Sequence, residues 1–117
     1  DIVLVDAPCS GSGTWRRNPE TRWRLSPARL EQVIAAQANL LTIAAEMVAP
    51  DGFLVYAVCS LLEQEGAGQM SQFLTSHDGW RANNAPLSAG RPDGDGILLT
   101  PHYDGTDGFF FARLQKL

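Results

Sequence analysis

The sequence predicts an α/β domain built on parallel strands, half of a doubly wound sheet. Two short apolar runs, Ile2 to Val5 and Phe53 to Val58, have the uninterrupted character of strands buried on both faces. The residues between them repeat at helical spacing, and a helical connection of that kind joins neighbouring parallel strands. The full order, strand–helix–strand–helix–strand–strand, is that of a sheet wound with crossover helices. Its last two strands are expected to form an antiparallel pair at the sheet edge.

Each element carries its own signal. Residues 8–18 read as a loop, with Gly11 and Gly13 supplying backbone freedom where a ligand approaches. Ser26-Pro27 starts a helix, with Ser as N-cap and Pro at the first helical position. Leu30, Val33, Ile34, Gln37, Leu40, Leu41, Ala44, Met47 and Val48 form its inward stripe, and Pro50-Asp51-Gly52 ends it. Glu63 to Ser76 reads as a second helix that turns Met70, Phe73 and Leu74 inward. Residues 83–96, rich in Gly, Pro and Asp, read as loop. Ile97 to Thr100 and Phe109 to Leu114 read as strands, joined through Asp104-Gly105 and Asp107-Gly108.

Composition excludes several classes. No apolar stretch reaches the twenty residues of a transmembrane helix, and no signal peptide precedes the first strand. Two cysteines in such a chain read as thiols of a cytoplasmic protein, not as a disulfide framework. The net charge of −4 does not by itself suggest a nucleic-acid binder. The distribution does: Arg16, Arg17, Arg22, Arg24 and Arg29 are five of the nine basic residues and are interleaved with Trp15 and Trp23. Guanidinium forks bind phosphates and indoles stack on bases. The plainer reading of that segment is an Arg-rich surface loop with its indoles in the core. His77 and His102 have no partners at metal-ligand spacing and read as surface residues, so no metal is expected.

The two cysteines follow two different strands. Cys9 lies in Asp6-Ala7-Pro8-Cys9-Ser10-Gly11-Ser12-Gly13, and Cys59 in Tyr56-Ala57-Val58-Cys59-Ser60. Reacting atoms in open parallel sheets gather beyond the carboxyl ends of the strands. If the two strands are neighbours they lie about 4.8 Å apart, and both thiols face one pocket. For a lone cysteine, a small buried hydrophobe is the better reading. Two at strand ends favour covalent chemistry.

Asp6-Ala7-Pro8-Cys9-Ser10-Gly11-Ser12-Gly13-Thr14, then Arg16-Arg17-Asn18-Pro19-Glu20 and Arg22-Trp23, resembles the RNA cytosine-5 methyltransferases of the sun/nucleolar-protein family, the 16S ribosomal RNA methyltransferase B-like group. Gln37 to Leu41, Gly52 to Ser60, Glu65 and Thr106 to Ala112 continue the match in family order. The resemblance implies the C-terminal part of a Rossmann-like domain that transfers a methyl group from S-adenosylmethionine to carbon 5 of cytosine in ribosomal or transfer RNA. It makes Cys59 the nucleophile and Cys9 the residue that assists product release. It places Asp6 and Pro8 at the cofactor, Asp6 also at the target base, and Arg16, Arg17, Arg22 and Arg24 on the RNA. Without the resemblance, Asp6 is a strand-end residue capping the next turn, and Glu65 a first-turn residue favoured by the helix dipole.

The sequence departs from the family pattern at Val58, where Thr precedes the nucleophile, and at Gly66, where Asn follows the Glu. No glycine-rich cofactor loop or ribose-binding carboxylate is found in residues 1–117. These residues are therefore expected to be the C-terminal portion of one catalytic domain, unable to hold the cofactor or catalyse alone. Their uncharged strand at residues 2–5 is expected to be an open edge that self-associates. Two other readings stand beside this one. A DNA cytosine-5 methyltransferase would use Cys9, the Pro-Cys cysteine, as nucleophile. A degenerate, non-catalytic RNA-binding module would use only the arginine segment.

Overall fold

A computed structural model describes residues 1–117. Strand β1 (Ile2–Asp6) lies parallel to β2 (Phe53–Val58), joined by helix α1 (Pro27–Met47). The register runs Ile2 to Phe53 through Asp6 to Ala57, so the chain leaves both strands at the same level of the sheet. Helix α1 starts as expected. Pro27 occupies the first turn, and Ser26 Oγ accepts the Arg29 N–H at 3.2 Å, satisfying one of the donors a helix start leaves free. Its buried residues, Gln37, Leu41, Ala44 and Ala45, fall on one face, and Val48 continues the stripe just past the helix end.

The second helix is split. A short 3-10 turn (Glu63–Glu65) is followed by α2 (Ala67–Ser76), and Gly66 between them leaves helical geometry. A Cβ at Gly66 would lie 2.8 Å from the Phe110 ring, so the Asn of the family pattern could not enter this packing unaltered. Strands β3 (Trp80–Ala82), β4 (Arg91–Asp93), β5 (Gly96–Leu99) and β6 (Phe109–Lys116) complete the sheet, with a one-turn helix α3 (Pro101–Asp104) between the last two.

The sheet order is β1-β2-β6-β5-β4, with β3 also pairing β6. The β5–β6 antiparallel pair exists, but not at the edge. β6 is inserted against β2, from Phe53–Gln115 to Val58–Phe110, and β5 and β3 share its other side. β4 forms that edge, within the stretch expected to be loop. β3 and β4 are three residues each, too short for alternation to mark them in sequence.

Both long helices cover the same face. Leu54, Tyr56 and Val58 of β2 and Phe110, Ala112 and Leu114 of β6 are buried against Leu41, Val48, Met70 and Phe73. The expectation that Ile2 to Val5 is buried on both faces fails. Val5 is 8% exposed, but Ile2 and Leu4 on the opposite face are 69% and 65% exposed. β1 is an edge strand, as expected, and it is apolar and open.

Candidate active site

Two loops leave the carboxyl ends of β1 and β2 and are sewn together. The Ala7 amide donates to Ala57 O at 3.0 Å, and the Gly13 amide donates to Cys59 O at 3.0 Å. Between these two ties the sulfurs of Cys9 and Cys59 stand 3.4 Å apart, both half-buried. Burial, and next the hydrogen bond to Cys59, pushes the Cys9 thiol from an ordinary 9.0 up to about 12. Either thiol can donate in this contact, and burial disfavours the anion at Cys9. A neutral thiol aimed at a second sulfur stabilises that sulfur when it is anionic.

Beneath the thiols lies a carboxylate that sequence reasoning left as a first-turn residue. Glu65 is fully buried. Its Oε2 accepts from the Ser10 amide at 2.8 Å and from Gln37 Nε2 at 2.9 Å. Its Oε1 accepts from the Ser10 and Ser60 hydroxyls at 2.5 and 2.6 Å. Ser10 follows Cys9 and Ser60 follows Cys59, so one carboxyl group grips both cysteine loops. Gln37 also donates to Pro8 O at 2.8 Å, and its own carbonyl accepts from Gln69 at 3.1 Å. The Tyr56 hydroxyl donates to Glu65 O at 2.6 Å, and burial holds this phenol well above its usual range. Only the position of Glu65 within the resemblance pointed to it, because the burial of a glutamate is not visible in sequence.

The glycine expectation changes at Gly13. Gly11 adopts φ +75°, a left-handed turn that glycine accepts without strain. Gly13 approaches protein, not ligand: a Cβ there would lie 2.0 Å from Gly108 O, and the two backbones are bonded through the Gly108 amide at 2.7 Å. Val58 points into the core on the opposite side of the strand from Cys59. The hydroxyl missing at this position is thus lost from the core and not from beside the thiol.

Asp6 ends β1 with its carboxylate exposed and in no side-chain hydrogen bond, and Pro8 is exposed beside it. A free acceptor there fits an amine or amino group. The arginines divide. Arg16 and Arg17 both pair with Asp107, at 3.2 and 2.6 Å, which holds the Asp107 carboxyl below its usual range, chiefly through the Arg17 hydrogen bond. Arg22 lies 4.7 Å from the Trp23 ring. Trp23 is 78% exposed, so the reading that both indoles sit in the core fails, and Arg22 is not drawn inward. Trp15 is half-buried, its indole N–H shielded and unpaired. Arg24 and Arg29 line a cleft of about 240 Å³ that has Cys9 on its wall. Asp107 is an addition to the expected set, and Arg29, noted in the arginine segment, joins Arg24 at the cleft. His102 is exposed, whereas His77 is half-buried and stacks on Phe73 at 4.2 Å. No group of three or more His, Cys, Asp or Glu side chains is placed to hold a metal. No helix is long and apolar enough to cross a membrane.

The description "16S rRNA methyltransferase RsmB/F" belongs to the family model that matches residues 1–115. The chain is 42% identical over 118 residues to the ribosomal RNA small subunit methyltransferase B of Thermus thermophilus, covering 98% of this chain and 29% of that protein. Its structure is similar to a methyltransferase homologue from Pyrococcus horikoshii, with a TM-score of 0.81 and 31% identity over 100% of this chain and 39% of that one. It is also similar to NSun6 from Pyrococcus horikoshii, solved with SFG, with a TM-score of 0.82 and 26% identity over 97% of this chain and 29% of that one. The chain spans less than a third of the length of the curated relative it matches here. The sheet is accordingly that of a Rossmann-like methyltransferase.

Proposed function

The chain belongs to the 16S rRNA methyltransferase RsmB/F family, and from that premise we propose that it carries the two thiols of an RNA cytosine-5 methyltransferase, with Cys59 as nucleophile. The observation that carries this reading is the pair of sulfurs 3.4 Å apart beyond neighbouring parallel strands.

Carbon 5 of cytosine is a weak nucleophile. When the Cys59 thiolate bonds to carbon 6, the carbon 5–carbon 6 double bond opens and carbon 5 becomes enamine-like. S-adenosylmethionine, when bound, supplies an electrophilic methyl group. Asp6, with its free carboxylate at the end of β1, and Pro8 beside it are the residues of this chain that would contact that donor. Asp6 also accepts from the cytosine amino group. After methylation the proton on carbon 5 passes to water, its bonding electrons re-form the carbon 5–carbon 6 double bond, and the sulfur–carbon 6 bond breaks with its electrons returning to Cys59 as thiolate. Cys9 directs its S–H at Cys59, stabilises the departing thiolate and so promotes release.

The same arrangement argues against the DNA-type assignment. Burial raises the Cys9 thiol and so disfavours the anion that a nucleophile needs. Arg24 and Arg29, at the cleft beside Cys9, suit the phosphate of the target nucleotide. Arg16, Arg17 and Arg22 lie on the exposed surface and suit the flanking RNA. Methylation of ribosomal RNA by the full-length protein, mapped to carbon 5 of a cytosine and lost in Cys59→Ala, supports this reading. Undiminished turnover by Cys59→Ala rules it out.

A further inference from the structure

We infer that Glu65 is a positioning residue of the thiol pair: by gripping the residue after each cysteine, its carboxylate sets the separation of the Cys9 and Cys59 sulfurs. This rests on the reading above for its catalytic consequence, though not for its geometry.

The hydrogen-bond directions carry the inference. Glu65 receives four donors on two oxygens, two from Ser10, one from Ser60 and one from Gln37. Ser60 has one proton and gives it to Glu65, so in the 3.1 Å Ser12–Ser60 contact Ser12 donates. Ser60 Oγ also accepts the Leu62 amide at 3.0 Å, and Ser12 Oγ accepts the Leu61 amide at 2.9 Å. Ser10 Oγ likewise accepts from the Ser12 amide at 3.3 Å and gives its proton to Glu65. Three of the four donors come from the residues that follow the two cysteines, the fourth from Gln37 of α1, and all converge on one carboxylate. An amide in place of the carboxylate turns one of the two acceptor oxygens into an NH2 group, which meets either the two hydroxyls or the Ser10 and Gln37 N–H groups. Either way donor faces donor, and the hydroxyls turn or the loops separate. A buried Glu65 that served only the stability of α2 would need no partners in both loops.

The geometry and its consequence are read separately. Glu65→Ala strips four donors at once, and its unfolding would hide the effect, so Glu65→Gln is the variant of choice, with Ser10→Ala as the second. In the full-length protein, diamide, an azo oxidant, takes two electrons and two protons from the Cys9 and Cys59 thiols. The disulfide that forms is read as the cross-linked peptide by mass spectrometry. This arm needs neither RNA nor methyl donor. Glu65→Gln should slow closure at least about tenfold, and Ser10→Ala should slow it less, because a displacement near 1 Å costs about a hundredfold in a positioned reaction. In the methylation arm, kcat per folded molecule should fall about 10- to 100-fold while KM for RNA stays within about twofold. Closure in both variants at the wild-type rate or faster overturns the inference, whatever the methylation arm shows. Slowed closure with kcat unchanged overturns its catalytic half. Absence of cytosine methylation in the wild type would remove the proposed function and leave the closure result to stand alone.

Discussion

The thiol pair and the arginine segment are neighbours in sequence and opposites in construction. Around Cys9 and Cys59 the side chains of Glu65, Gln37, Ser60 and Tyr56 are buried and each is hydrogen-bonded. From Arg16 to Arg29 the guanidinium groups lie at the surface, two of them tied only to Asp107. Bond formation requires atoms held in place before the substrate arrives. Gripping a charged, flexible polymer requires charge more than position. The difference predicts that substitutions at the thiols change reaction steps, whereas substitutions in the segment change affinity by increments.

The largest effect should come from Cys59→Ala, which is expected to abolish turnover and adduct formation by the full-length protein. Methylation near the normal rate would break the comparison at its stronger side. Cys9→Ala should leave bond formation intact and slow release, so a covalent protein–RNA complex accumulates on denaturing gels. No added shifted band, with turnover intact, would remove the release role. Stability separates the regions too. Glu65→Ala leaves buried donors unpaired at about 1–3 kcal/mol each and should lower the denaturation midpoint sharply. Asp107→Ala, which frees exposed arginines, should barely move it.

The pH dependence of stability sharpens the picture at Cys9. Its folded-state thiol titrates near 12 against 9.0 when unconstrained, so the folded state binds more protons between those values. That contribution is whole below pH 9 and is lost as pH rises toward 12. Cys9→Ala should flatten the fall of stability in this window, and an unchanged slope would show that Cys9 is not the group responsible. On the other side of the comparison, replacing Arg16 and Arg17 together should flatten log affinity against log salt by about two units, at about 0.9 per lost duplex-phosphate contact. If Asp107 holds both arginines away from RNA, the slope will not change. A local effect is expected at the start of α1: Ser26→Ala should cost about 1 kcal/mol by removing its N-cap, measured by chemical denaturation.

What was legible in sequence follows the same division. The strand, cap and motif signals located β1, α1, β2 and both cysteines, because strong periodicity and specific local residues marked them. The insertion of β6 beside β2 was not legible, since the pairing of distant strands leaves no trace in either strand's own pattern. Ile2 and Leu4 read as buried because their apolarity reveals what a face can bury and not what covers it. Glu65 was missed as a hub because its partners, Ser10, Gln37 and Ser60, lie up to 55 residues away. The absence of charge at residues 2–5 is what leaves the edge at β1 prone to pairing with another strand. Leu4→Lys there should reduce any concentration-dependent association seen by sedimentation.

The central claim is that Cys59, and not Cys9, attacks the base. RNA carrying 5-fluorocytosine tests it most directly, because fluorine at carbon 5 blocks the proton loss needed for release and traps the adduct. Digestion of the trapped complex and mass spectrometry of the peptides should place the nucleotide on Cys59. Attachment to Cys9 would contradict the account and assign the chain the other chemistry.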